Sequence, residues 1–155
     1  MRNAGGRAIA PYDTRKIDQQ QETVMAVKIE KVAAKSVFDP PTYAQAIKVT
    51  GAQTIIFISG QVDYDAKGGP GHLGDFAGQA RATLAAVKAQ VEAAGGTLEN
   101  IVKLNTYLVD VRHRTELAAI RAEFFGSKTP ASTLVGVTAL AVPGWMLEIE
   151  AIAVI

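Results

Sequence analysis

The hydrophobic patterning of this chain predicts an α+β fold with the element order βββαβαββ, and three observations carry that prediction. Residues 147–154 alternate: Leu147, Ile149, Ala151 and Ala153 share one strand face, and Glu148, Glu150, Ile152 and Val154 share the other. Thr54–Ser59 encloses the unbroken apolar run Ile-Ile-Phe-Ile, as expected of a strand buried on both faces. Between these segments Ala80, Leu84, Val87, Val91 and Ala94 recur at helical spacing and form one apolar stripe.

The elements follow in order. Val27–Val32 alternates and reads as a short strand, and Ala44–Val49 as a second. After the strand at 54–59, residues Asp65–Gly74 are dense in breakers and form a loop. Asp75 is placed to cap the first helix, which Gly95-Gly96 stops. Ile101–Val111 is a strand. Thr115–Phe125 is the second helix, with Leu117, Ile120 and Phe124 inward and Gly126 at its end. The run from Pro130 to Ile155 reads as two strands joined by a tight turn at Pro143-Gly144, since Pro presets φ and Gly permits φ > 0. A strand-helix-strand unit implies a right-handed crossover, so both helices can lie on one face of a mixed sheet of about six strands. Two helices cannot cover both faces, so an oligomer is expected.

Composition narrows the function classes. The 155 residues suit one domain, at 48% hydrophobic and 20% charged. Residues 1–24 are a polar extension carrying Arg2, Arg7, Arg15 and Lys16 with few large apolar side chains, and residues 25–155 form the domain. Asp13 and Asp18 argue against a transit peptide, and the absence of an apolar segment near the start argues against a secretory signal. A cytoplasmic location is therefore expected. The net charge of +1 offers no general field for nucleic acid, and no run is long enough to span a bilayer, so neither partner is expected. The lack of cysteine removes thiolate nucleophiles, disulfides and Cys-based metal sites. His72 and His113 are far apart in sequence and make no metal site. Gly68-Gly-Pro-Gly71 lacks the lysine of a nucleotide loop.

Chemistry is sought at the alternating C-terminal strand. Two carboxylates on an otherwise apolar strand face are costly unless paired or used. Arg112-His113-Arg114 is the tight basic cluster of the chain, and Arg112 and Arg114 are further candidates for an anion contact. Asn105 and Tyr107 alternate on a strand and read as structural or as pocket wall.

Several pieces of the sequence resemble one known family in order and spacing. They are Tyr43-Ala-Gln-Ala46, Phe57-Ile-Ser-Gly-Gln61, Ala93-Ala-Gly-Gly96 with Asn100-Ile-Val-Lys103, and the tail from Pro130-Ala131 through Glu148-Ile-Glu-Ala-Ile-Ala153. Together they resemble the reactive-intermediate deaminase (RidA/YjgF, endoribonuclease L-PSP-like) family from about Lys28 to Ile155. The resemblance implies a chorismate-mutase-like fold and a homotrimer whose sheets form a central barrel, with sites for a small-molecule metabolite between subunits and no cofactor. It implies that Glu148 is catalytic, positioning or deprotonating a water, and that Tyr43, Ser59 and Gly60 line the pocket. Glu150 is expected to be structural, paired with Arg or Lys.

One position departs from the pattern. Deaminating members read Pro-Ala-Arg-Ser, where the Arg holds a substrate carboxylate by a bidentate pair. Here Ser132 stands at that place, followed by Thr133, and both are expected to line the pocket without charge. Arg-dependent deamination of 2-imino acids is therefore expected to be lost. The readings carried forward are a hydrolase or deaminase acting on an enamine, imine or related metabolite, and a non-catalytic trimeric metabolite-binding protein. RNA cleavage finds no support in a near-neutral chain without interleaved basic and aromatic residues.

Overall fold

Four strands form one mixed sheet: β3 (Ile55–Gln61), β4 (Ile101–Leu108), β5 (Ala131–Gly136) and β6 (Leu147–Val154), in the spatial order β3-β6-β4-β5. This arrangement comes from a computed structural model that describes residues 26–155, so the polar extension expected over residues 1–24 lies outside the described residues. β6 runs antiparallel to both neighbours, and β4 and β5 are parallel. The two remaining strands, β1 (Lys28–Val32) and β2 (Ala46–Thr50), make a separate antiparallel pair. That pair is tied to β5 by a single bridge between Ala44 and Ala131, where the Ala44 amide donates to the Pro130 carbonyl at 3.1 Å. The expected α+β order is present, with the six strands divided between a four-stranded sheet and a hairpin.

The tight turn expected between the last two strands is not what joins them. β5 reaches β4 through a helix and pairs with it in parallel, so β6 takes the opposite edge of β4. Residues 137–146 must then cross β4. Gly144 still adopts a positive φ of 104°, but its turn packs on Pro70 and Leu73 of the preceding loop.

Two helices, α1 (Phe76–Ala93) and α2 (Arg114–Phe125), cover one face of the sheet. Asp75 caps α1 by accepting from the Gly78 amide at 3.0 Å, and Gly95 ends the helical segment at φ 86°. The predicted stripe is inward: Ala80, Leu84, Val87 and Val91 are fully buried against Leu104, Leu108, Leu147 and Ile149. Leu117 and Ile120 of α2 join this core. Each such Leu, Ile or Val stabilises the fold by about 1.5–3 kcal/mol relative to exposure. No helix among the described residues is long and apolar enough to cross a membrane.

The opposite face is open in a single chain. Ile58 points into the core, whereas Ile55 is 59% and Phe57 76% exposed. The expectation that this strand is buried on both faces is therefore corrected for one chain: its residues are apolar on both sides, and the helices reach only one.

One buried amide ties the loops at the α1 end together. Gln79 is fully buried, and its Nε2 donates to the carbonyls of Gly144 at 2.8 Å and His72 at 3.2 Å. Its Oε1 accepts from the Met146 amide at 2.8 Å. The buried Asp63 carboxylate accepts from both the amide and Nδ1 of His72, while the Trp145 indole donates to the Asp63 carbonyl at 2.9 Å. Leu at position 79 would keep the volume and strand three backbone groups, each costing about 1–3 kcal/mol when buried unpaired. Gln79→Leu is expected to lower unfolding free energy by about 3 kcal/mol or more with an unchanged m-value, read by urea denaturation.

Candidate functional site

The register of β6 on β4 decides which side chains meet. Leu147 pairs with Leu108 and Ala151 with Leu104, all on the helix-covered face. The intervening pairs, Glu148 with Tyr107 and Glu150 with Asn105, stand on the open face. Glu150 is anchored there: its Oε1 accepts from Asn105 Nδ2 at 2.6 Å and from the Tyr107 hydroxyl at 3.1 Å. The pairing with Arg or Lys expected for Glu150 is thus corrected; a neutral amide and a phenol satisfy it, because Asn105 is its cross-strand partner and Tyr107 its diagonal neighbour on the same face. The bond to Glu150 raises Tyr107 above the ordinary phenol range, which keeps its hydroxyl a donor.

Glu148 is placed differently. Among the described residues its carboxylate takes no side-chain hydrogen bond, and it lies directly over Gly60 on β3. A Cβ added to Gly60 would sit 2.7 Å from Glu148 Cδ and nearer still to Oε1. Glycine is therefore what lets β3 pass beneath this carboxylate. A register shift between Ile58 and Gln61 marks the same spot on β3. Ser59 lines a neighbouring cleft of about 240 Å³ on the open face with Phe57, Asn105 and Glu150. Thr133 also belongs to this face, accepting from Lys103 Nζ at 2.7 Å.

Ser132 and Tyr43 are elsewhere. Ser132 pairs with Leu104 and so points to the helix side, away from Glu148. With Tyr43 it lines a cavity of about 350 Å³ between α2, β5 and residues 41–43. Arg114 lies on the wall of this cavity. Arg112 does not: it grips Asp110 through Nε and Nη2 and holds that carboxyl down at about 2. One chain thus brings Gly60 to Glu148 and Tyr43 to Ser132, but does not bring the two groups together.

The residue that the sequence reading missed is Arg121. It projects from α2 into the same cavity and donates from Nη1 to Ser132 Oγ at 3.2 Å. A signal for it existed. Leu117, Ile120, Arg121 and Phe124 fall at i, i+3, i+4 and i+7, so Arg121 occupies an inward position of an otherwise apolar stripe. Burial alone pushes its guanidinium below its ordinary value.

Comparison with known proteins finds a matching family and similar chains. Residues 38–155 match the family described as endoribonuclease L-PSP. A RutC family protein of Pyrococcus horikoshii is 40% identical over 111 residues, covering 72% of this chain and 85% of that one. The 3-aminoacrylate deaminase RutC of Acinetobacter baylyi is 31% identical over 114 residues, covering 74% and 90%. Among solved structures, a Rid-family protein of Yersinia pestis superposes with a TM-score of 0.74 at 28% identity, covering 82% of this chain and 98% of that one.

Gly60 offers a direct test of the carboxylate's seat. Its φ is not positive, so alanine is conformationally allowed there, and the atoms in the way are the flexible end of a side chain. Gly60→Ala is expected to keep stability within about 1 kcal/mol while displacing the Glu148 carboxylate. Urea denaturation reads the first, and the carboxyl ¹³C shift of Glu148 reads the second.

Proposed function

The chain belongs to the endoribonuclease L-PSP (RidA/YjgF) family, and on that premise we propose that it hydrolyses a C–N bond in a small enamine, imine or related metabolite at the Glu148–Gly60 site. The observation that carries this reading is the contrast between the two carboxylates of β6. Glu150 is held by Asn105 and Tyr107, whereas Glu148 is seated over a glycine without a protein donor among the described residues. A carboxylate left in this state is suited to take a proton from water. The water oxygen then bonds to the imine carbon, and the proton passes to nitrogen. Collapse of the resulting carbinolamine breaks the C–N bond and releases ammonia. The relative that is a 3-aminoacrylate deaminase supports this class of reaction.

The same reading includes a homotrimer in the cytoplasm. Phe57 and Ile55 on the open face would each gain about 1.5–3 kcal/mol on full burial, which favours association of chains through that face. Ser132 bears on substrate choice. It supplies one neutral hydroxyl where a bidentate cation would contribute about 2–5 kcal/mol, and Arg121 lies across the sheet from Glu148 within the chain. Arg-dependent deamination of 2-imino acids is accordingly expected to be lost. That neutral position also favours a second reading, a trimeric metabolite-binding protein without turnover.

The deciding experiment measures release of ammonia from a panel of carboxylate-free and carboxylate-bearing imines. Wild type is expected to exceed the uncatalysed rate on carboxylate-free members, and Glu148→Gln to lower kcat/KM by about 10²- to 10⁴-fold with its fold intact by circular dichroism. Turnover unaffected by Glu148→Gln would remove Glu148 from the chemistry. A wild type inactive on every member would leave the binding reading. Sedimentation of the wild type as a folded monomer at micromolar concentration would rule out the trimer.

A further inference from the structure

The cleft of about 240 Å³ on the open face does not include Glu148 in its lining, and the chemistry argued above does not use it. Strand register orders its walls in two rows. Phe57 of β3 pairs with Ile152 of β6, and Ile152 with Lys103 of β4. In the next row of the same face Glu150 pairs with Asn105, and Ser59 adjoins them from β3. An apolar pair thus stands beside a carboxylate, an amide and a hydroxyl.

The hydrogen bonds already made decide which groups are left for a ligand. Asn105 Nδ2 and the Tyr107 hydroxyl both donate to Glu150 Oε1, at 2.6 and 3.1 Å. Both donors are neutral, so they fix the carboxylate without cancelling its charge. A carboxylate only accepts, so the amide of Asn105 must turn Nδ2 toward it and keep Oδ1 as an acceptor. Lys103, the cation on the wall, is turned to β5, where its Nζ donates to Thr133 Oγ1 at 2.7 Å. Glu150 Oε2, Asn105 Oδ1 and the Ser59 hydroxyl take no hydrogen bond from the described residues. The cleft therefore offers three acceptors, one of them anionic, and a primary ammonium carries three donors and no acceptor. We propose that this cleft binds a small primary alkylammonium, which donates to Glu150, Asn105 and Ser59 and lays its hydrocarbon body against Phe57 and Ile152.

The same walls discriminate against other ligands. An anion would meet a carboxylate whose charge nothing in the cleft cancels, and a quaternary ammonium has no N–H for the three acceptors. Phe57 is 76% exposed in a single chain and adds an aromatic surface to the apolar pair. It also belongs to the face through which chains are proposed to associate, so the site is tested on the protein in the oligomeric state it adopts.

The full-length protein, labelled with ¹⁵N, is titrated at constant ionic strength with methylammonium, n-butylammonium, tetramethylammonium, sodium and butyrate. The side-chain amide resonances of Asn105, identified by their loss in Asn105→Ala, report the site. They are expected to move saturably with butylammonium, with a gain of about two- to fourfold in affinity per methylene from methylammonium to butylammonium. Tetramethylammonium should bind at least about tenfold more weakly, and sodium and butyrate should leave the resonances in place. Glu150→Gln keeps an acceptor for Asn105 and Tyr107 but removes the charge, and should weaken butylammonium at least about tenfold with its circular dichroism unchanged. Ser59→Ala should weaken it about two- to tenfold. Binding is read without turnover, so a failed deaminase reading leaves this result untouched. Resonances that ignore butylammonium, as in a cleft sealed by a neighbouring chain or filled by its lysine, would overturn the proposal. So would an equal response to tetramethylammonium or sodium, or undiminished binding in Glu150→Gln. Should Glu150→Gln fail to fold, Ser59→Ala and the comparison of butylammonium with tetramethylammonium on the wild type still decide.

Discussion

β6 is hydrogen-bonded along both edges, and its two-residue period makes it the constraint around which the rest of the domain is arranged. Its odd-numbered residues are fully or almost fully buried beneath the helices, so they set which way the strand faces. Once that is decided, Glu148 and Glu150 can only stand on the opposite face. A slip of one residue would drive both carboxylates into the core and expose Leu147 and Ile149. The register is therefore enforced by the hydrophobic effect, and the placement of the polar groups follows from it rather than from any attraction of their own.

What distinguishes the two carboxylates is their cross-strand company. Both sit on β6 between β3 and β4. Glu150 lies opposite Asn105 and within reach of Tyr107, and both donate to one of its oxygens. Glu148 has β3 on its other side at the point where the ladder is irregular and residue 60 lacks a Cβ. A bulge and a glycine together make room for the Glu148 carboxylate at a place where regular pairing would have filled the space with a side chain.

The helix-covered side carries a second polar feature with a different physical origin. Arg121 is inward because the period of α2 puts position 121 on the stripe of Leu117, Ile120 and Phe124. The core tolerates it because β5 is an edge strand and the cavity beside it is open to the loop at 41–43. The long aliphatic stem can pack while the head reaches Ser132.

Much of this molecule follows from sequence alone because it depends on local rules. The alternation of 147–154, the stripe of α1, the Asp75 cap and the stops at Gly95 and Gly126 are each set by residues within a few positions of one another. So is the pairing of a polar and an apolar face on β6, and with it the suspicion that falls on Glu148. The remaining features depend on contacts between distant segments. That β5 and β6 are separated by β4 follows from strand order, to which a turn motif at Pro143-Gly144 is blind. That Glu150 is held by Asn105 and Tyr107 follows from register across 45 and 43 residues of chain. That Ser132 faces Arg121 and turns away from Glu148 follows from the pairing of β5 with Leu104 on the core side of β4. Periodicity tells which face of an element a residue occupies, and only the packing of one element on another tells what stands in front of that face.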